Sequence, residues 1–318
     1  MNFQRLKSIS QYAATPLMTA IGFLIASVVF TFVLKIPDPV PVFIIFASVQ
    51  VISMFLYAVL PKKGKQIPRQ ISMFLIGTFI FALAGLLGRV NFQLEGFFFY
   101  LTTGTVSGVL IHFAMAKLVG PIFFGRGWCS WGCWTAMVLD LLPYKKNTTW
   151  KKGALPQLRY IHFGVSLLLV LLLFYVFRMS VIHSDPAALK TGLGTVTEMV
   201  WFLAGNGIYY VTGILLAIKL KDNRAFCKYV CPLAVFLKAA NRFSLVRIKG
   251  NGSTCNNCRT CVTHCPMSID IPKYIADSGR VKSTECIMCM KCIPSCPKAL
   301  LSSSVDIDFA VRDHLVKN

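Results

Sequence analysis

Six long apolar stretches constrain this chain more than any other feature. They run from Ala14 to Leu34, Pro41 to Leu60, Ile71 to Gly88, Gly96 to Leu118, Ile161 to Ile182 and Thr197 to Leu220. Each is long enough to cross the ~30 Å hydrocarbon core of a bilayer as a helix. Lipid offers no partners to backbone polar groups, so such stretches fold as helices and not as irregular chain. Composition agrees: 55% of the 318 residues are hydrophobic, and the mean hydropathy of +0.63 is one that soluble domains seldom reach. The first stretch follows a short basic segment with Arg5 and Lys7. It exceeds the apolar core of a secretory signal and no small-residue cleavage site follows, so it reads as a retained span.

Charge then orients the spans. Lys and Arg number 33 against 12 Asp and Glu, a net +21. Two connections are strongly basic, at Lys62, Lys63, Lys65 and Arg69 and at Lys145, Lys146, Lys151, Lys152 and Arg159. The connections Lys35 to Pro41, Arg89 to Glu95 and His183 to Glu198 are nearly neutral. This alternation predicts both termini on the cytoplasmic side. The excess charge is then mostly topology and attraction to lipid headgroups, which makes membrane lipid a partner and leaves nucleic acid out.

All twelve cysteines fall into four groups. Cys255, Cys258, Cys261 and Cys265 precede Pro266, and Cys286, Cys289, Cys292 and Cys296 precede Pro297. Both runs have the C-x2-C-x2-C-x3-C-P spacing of bacterial two-cluster ferredoxins. Two residues between cysteines let a loop wrap three corners of one cubane, and the fourth thiolate comes from elsewhere. In such ferredoxins the fourth cysteine of each run crosses to the other cluster. On that pattern Cys255, Cys258, Cys261 and Cys296 hold one [4Fe-4S] cluster, and Cys286, Cys289, Cys292 and Cys265 the other. A disulfide framework conflicts with a reducing cytoplasm, and structural zinc uses paired C-x2-4-C motifs, not triplets closed by C-P.

The remaining groups are Cys129 and Cys133 in GRGWCSWGCW and Cys227 and Cys231 in RAFCKYVCP. Each follows a span on the cytoplasmic side. At i and i+4 on a helix both thiols of a pair face one way. Together the four make a candidate third redox site: a third iron–sulfur cluster, a redox-active dithiol or copper site, or purely structural cysteines.

On these motifs the chain resembles the membrane-bound ferredoxin-type quinol dehydrogenases of the NapH type, and similar modules form the C-terminal half of NosR regulators and the CcoG proteins. The resemblance covers residues 70–304: a four-helix core, C-x3-C after its second helix, C-x3-C-P after its fourth, the stretch Lys238 to Lys249 with NRFSLVRIK, and the paired ferredoxin runs. Pro232 matches the family, whereas Trp134 stands where it has proline, and the first two spans are additional. The resemblance implies electron transfer between the quinol pool or a membrane redox partner and a soluble electron-transfer protein, as an electron-transfer subunit or quinol dehydrogenase component. It implies the inner (cytoplasmic) membrane of a bacterium or archaeon. The CcoG likeness implies the alternative of a metal-ion or thiol reductase that assembles another metalloenzyme; the NosR likeness implies a redox-sensing regulator. NosR-type regulators carry a large extracytoplasmic flavin domain, for which residues 1–13 leave no room.

The expected fold is an α-helical integral membrane protein of about six transmembrane helices with a C-terminal α+β two-cluster bacterial ferredoxin-like domain. Residues 1–220 form the transmembrane domain, with a cytoplasmic C-x3-C loop at 129–133. Residues 221–250 form an inner-surface amphipathic connector, 251–304 the ferredoxin-like domain and 305–318 a tail. Polar residues within spans are functional candidates. His112 and His162, near Trp128, Trp131 and Trp134, make a candidate quinone site on the inner side. On the outer side Arg89, Asn91, Glu95, His183, Asp185 and Glu198 read as caps or surface pairs, and Gly104 with Gly108 as a close helix-packing motif. No dinucleotide fingerprint or phosphate loop is present.

Overall fold

The computed structural model describes residues 9–33, 35, 38, 40–104, 108–144, 150, 153–177, 194–250, 255–310 and 313–317. Within them six helices are long and apolar enough to cross a membrane: α1 (Ala14–Val33), α2 (Val40–Val59), α3 (Gln66–Leu87), α5 (Gly108–Trp131), α7 (Leu155–Val176) and α8 (Val196–Leu220). Many of their large apolar side chains face outward, among them Leu24, Ile52, Phe74, Leu168 and Leu215. In water that pattern would be an aggregation hazard; in lipid it costs nothing.

Local signals set the ends. Thr195 accepts a hydrogen bond from the backbone N–H of Glu198, which caps α8, and Lys221 closes it in the left-handed conformation. Lys65 donates to the carbonyls of Tyr57 and Ala58 and so closes α2. This corrects one expectation about the basic loops. Lys65, Arg69 and Arg159 are almost wholly buried and serve protein contacts instead of lipid headgroups. Lys145, Lys146, Lys151, Lys152, His183 and Asp185 lie outside the described residues.

The fourth apolar stretch is not a span from Gly96 to Leu118. A separate helix, α4, occupies Leu94–Thr103 and stops at Gly104, whose φ of +67° suits only glycine cheaply. A Cβ on Gly104 would meet nothing within 4 Å, so the Gly104/Gly108 pair is a helix stop and not a packing motif. The spanning segment α5 begins at Gly108 and runs to Trp131, with a break at Gly125, whose φ is +65°, before the last turn Trp128–Trp131.

α4 is re-entrant. After α3 ends at Leu87 the chain turns back among the helices. Gln93 reaches Gly205, where a Cβ would lie 2.1 Å from its Oε1. Ser166, halfway along the 22 residues of α7, donates to Glu95 at 2.6 Å. α4 then returns, and Tyr100 meets Glu198 in the first turn of α8.

Beyond the spans come α6 (Trp134–Leu139), α9 (Ala225–Tyr229) and α10 (Leu233–Asn241). α10 packs on α5 and α7, with Phe236 against Phe97 of α4 and Phe163 of α7. Strands β1 (Val246–Lys249) and β2 (Ser302–Val305) pair antiparallel, Val246 opposite Val305. Short helices α11 (Thr260–Thr263), α12 (Ile271–Ser278) and α13 (Cys292–Ser295) fill the segment between them. The C-terminal residues strap this unit down: Asp308 pairs with Arg247 and Arg280, Asp313 accepts from Ser283 and Thr284, and Val316 accepts from the Trp150 N–H.

Candidate metal centre

The two long cysteine runs fold alike. Asn257, Arg259 and Ser268 take the left-handed conformation, and the equivalent Met288, Met290 and Ala299 repeat it. Left-handed residues between closely spaced cysteines curl each loop around a centre and turn N–H groups inward. One small cavity is lined by Cys255, Cys258, Cys261 and Cys296; a second is lined by Cys265, Cys286, Cys289 and Cys292. Among the described residues no three His, Cys, Asp or Glu side chains converge as they would on a single metal ion. Four thiols around a space suit a larger body, which the soft-donor chemistry of thiolates makes an iron–sulfur cluster. Burial pushes the Cys261 and Cys286 thiols up to about 12 and Cys265 to about 11.

The four remaining cysteines meet where the helices end. Cys129 lies in the last turn of α5. Gly132 breaks the helix, and Cys133 is extended at the N-cap of α6. Cys227 lies in α9, and Cys231 follows it just before Pro232 and α10. Each pair therefore spans a helix, a break and a second helix, and does not share one helix face as the i,i+4 spacing predicts. Burial raises the Cys133 and Cys231 thiols and brings Cys227 to about 11. The neighbouring thiols add to that rise: Cys129 acts on Cys133, and all three others act on Cys231. Arg224 Nη1 joins the two motifs, donating to the Cys129 carbonyl at 2.9 Å. Arg224 Nη1, 3.9 Å from the Cys227 sulfur, and Lys117 oppose the rise and favour thiolate. Trp134, in the place of a proline, is buried, and its Nε1 donates to Asn206 Oδ1 at 2.8 Å.

The short motif and the second long run touch directly. Between Cys129 and Cys133, Ser130 Oγ donates to the Ile287 carbonyl at 2.6 Å and Trp131 Nε1 to that of Met288 at 3.1 Å. Glu285 anchors the junction, with Arg126 at 2.6 Å, Lys238 at 2.9 Å and Arg159 at 3.0 Å. Burial works against its ionisation, but the three cations prevail and hold the carboxyl at about 2. Asp140 bridges Arg69 and Arg224 behind the quartet and is likewise held below the carboxylate range, its cations overcoming burial. None of these ion-pair partners is marked by local pattern. Lys117, buried within α5 with its ammonium 4.3 Å from the Trp128 ring centre, was legible as a lone charge inside an apolar span.

His112 and His162 have different surroundings. His112 lines a cavity of about 450 Å³ together with Trp128, Met115 and Phe124 of α5, Phe23 of α1 and Phe46 of α2. Its ring is edge-on to Trp128, centres 5.0 Å apart. His112 Nε2 and Trp128 Nε1 are buried and have no hydrogen-bond partner among the described residues. His162 instead donates from Nδ1 to the Val230 carbonyl at 2.9 Å, beside Cys231.

Comparison with known proteins follows the same lines. Residues 247–297 match the family profile of a 4Fe-4S dicluster domain. Residues 107–151 and 207–250 both match a 4Fe-4S binding domain, so the helix–C-x3-C unit occurs twice in the chain. The chain is 27% identical to an uncharacterized protein of Methanocaldococcus jannaschii over 64% of its own length and 82% of that protein's. It is 26% identical to the putative electron transport protein YccM of Escherichia coli, over 63% of this chain and 57% of YccM. It is 27% identical to the ferredoxin-type protein NapH of Haemophilus influenzae, over 63% and 69%. No solved structure matches. Fold and site thus define a ferredoxin-type iron–sulfur protein of the membrane. Within that class the chain is similar to the NapH- and NosR-related proteins.

Proposed function

We propose that the chain carries electrons between a quinol dissolved in the bilayer and a soluble electron-transfer protein, through clusters held by its cysteines. Cys255, Cys258, Cys261 and Cys296 would hold one [4Fe-4S] cluster, and Cys265, Cys286, Cys289 and Cys292 the second. Cys129, Cys133, Cys227 and Cys231 would hold a third. Such a cluster, when bound, accepts and passes on one electron at a time.

The observation that carries this reading is the cavity beside Cys129. Its lining is mainly apolar, with Asp38 and the two ring nitrogens of His112 and Trp128 as polar groups, and ligand pockets have that character. Trp128 Nε1 donates to a ring oxygen and His112 Nε2 accepts from a quinol hydroxyl, which supplies the hydrogen bonds both atoms lack. Trp128 immediately precedes Cys129, so electrons leaving the ring reach the quartet within one residue. Ser130 and Trp131 bring the quartet against Ile287 and Met288 of the second run, and Cys258 is exposed to a soluble partner. The cysteine-bearing end and both termini face the cytoplasm in this reading, as the loop charges require.

Two measurements test it. Anaerobically purified protein should contain about twelve irons per chain; about eight would mean a dithiol or copper at the quartet. A quinol analogue should bleach the clusters' visible absorption. Protein that dithionite bleaches and no quinol does would overturn the quinol assignment.

A further inference from the structure

The tip of the re-entrant α4 gathers polar groups where lipid-embedded helices least tolerate them. Non-helical backbone at membrane depth persists only inside protein or around a cavity. Here Gln93 and Glu95 from the start of α4 meet Ser166 near the middle of α7 and Tyr209 within α8. Ser166 satisfies Glu95 Oε1. Glu95 Oε2, Gln93 Nε2 and Tyr209 Oη are buried and have no hydrogen-bond partner among the described residues, although Gln93 is 2% exposed and Tyr209 6%. No cation pairs with Glu95 among the described residues.

These groups form a file. Towards the end of the spans away from the cysteines, a cavity of about 20 Å³ separates Glu95 from Glu198 and is lined by Asn91 and Tyr100; that volume holds about one water. Glu198 accepts from Tyr100 at 2.9 Å. Towards the cysteines, Tyr209 stands one turn along α8 from Gly205, which Gln93 reaches, packs in one cluster with Cys231, and sets its ring edge-on to His162, centres 5.5 Å apart. α5 and α10 turn the apolar rings of Phe113 and Phe236 to α4, and His112 stands beyond Phe92 on the far side. Among the described residues, Glu198, Tyr100, Tyr209 and His162 are therefore the titratable groups on the sides of Glu95.

We propose that Glu95 is a proton carrier coupled to the Cys129/Cys133/Cys227/Cys231 site. This rests on the reading of that quartet as a redox centre. An electron reaching the quartet adds negative charge to a region of low dielectric. Glu95 offsets it by taking one proton relayed from Glu198: the Glu198 O–H bond breaks as the Glu95 O–H bond forms, Glu198 regains a proton from solvent, and the transfer reverses when the electron leaves. A buried carboxylate without a cation beside it is costly, and a charged side chain at this depth is a functional candidate.

The test uses the full chain in proteoliposomes, reduced by measured additions of dithionite while a pH-sensitive dye records proton uptake. Glu95→Gln should take up about one proton fewer per chain than wild type, with cluster absorption and electrons accepted unchanged, and Glu95→Asp should restore the uptake. Equal uptake in wild type and Glu95→Gln overturns the proposal. If Glu95→Gln loses its clusters, Tyr209→Phe and Ser166→Ala take its place; slower uptake in both sustains the proposal, and wild-type uptake in both overturns it. The double variant Cys129→Ser, Cys227→Ser separates this from the underlying reading. If it accepts as many electrons as wild type, the quartet is not a redox centre and the coupling falls with it. If it accepts fewer while Glu95→Gln takes up protons as wild type does, the carrier alone is overturned.

Discussion

Arg126 Nη1 lies 2.6 Å from Glu285 Oε2, and each side chain is only 1% exposed. Arg126 stands just before the Cys129 motif and Glu285 immediately before Cys286, so one buried ion pair fixes two cysteine motifs against each other. Arg159 at the start of α7 and Lys238 of α10 close on the same carboxylate.

Glu285→Gln leaves Arg126 and Arg159 buried without a counter-charge. The expected loss is about 3–5 kcal/mol, read as a lower urea midpoint for the release of cluster absorption. The pH dependence has a definite sign. Glu285 falls from an ordinary 4.5 to about 2, so its contribution is complete above 4.5 and disappears as pH falls through 2. Wild type should lose stability across that window, monitored by tryptophan fluorescence, and the variant should be flatter there. Parallel acid profiles would refute the hub.

Cys265→Ala should deplete the cluster of Cys286, Cys289 and Cys292, because those are the thiols with which Cys265 shares a cavity. Electron paramagnetic resonance of the reduced variant checks this. Loss of the other cluster's signal would show that the fourth ligands do not cross.

Replacing Cys129 and Cys227 together should lower iron from about twelve to about eight per chain and abolish quinol-driven reduction, while dithionite still reduces both ferredoxin-type clusters. Normal quinol-driven transfer in this variant would take the quartet off the pathway.

His112→Ala and Trp128→Phe each remove a polar group from the large cavity. Both should slow cluster reduction by quinol, and neither should alter reduction by dithionite. His162→Ala acts elsewhere, through the Val230 carbonyl beside Cys231, and its effect should track the quartet and not quinol affinity. Unchanged quinol kinetics for His112→Ala would leave that side chain a packing residue.

Reporter fusions decide the orientation. A fusion after Asn318 or within Lys62 to Arg69 should behave as cytoplasmic, and one within Asp185 to Glu198 should not. A periplasmic response from the C-terminal fusion would reverse the assignment.

By itself the sequence determined what depends on neighbours along the chain. Apolar length makes a span wherever the backbone must satisfy itself, so five of the six stretches overlap spans in the structure to within a few residues at most ends. The two cysteine runs also announce their chemistry, since loop wrapping is set by the residues between the thiols. Even locally there was one failure: Gly96 to Leu118 is apolar throughout, and composition does not show the left-handed stop at Gly104 that divides it. The tertiary structure alone decided the rest. Glu95 belongs to mid-membrane because α4 folds back onto Ser166, and the i,i+4 cysteines form a quartet because two helix ends meet. Arg126 and Glu285 are 159 residues apart. No spacing rule links them, because a buried charge finds its partner only where packing removes both from water.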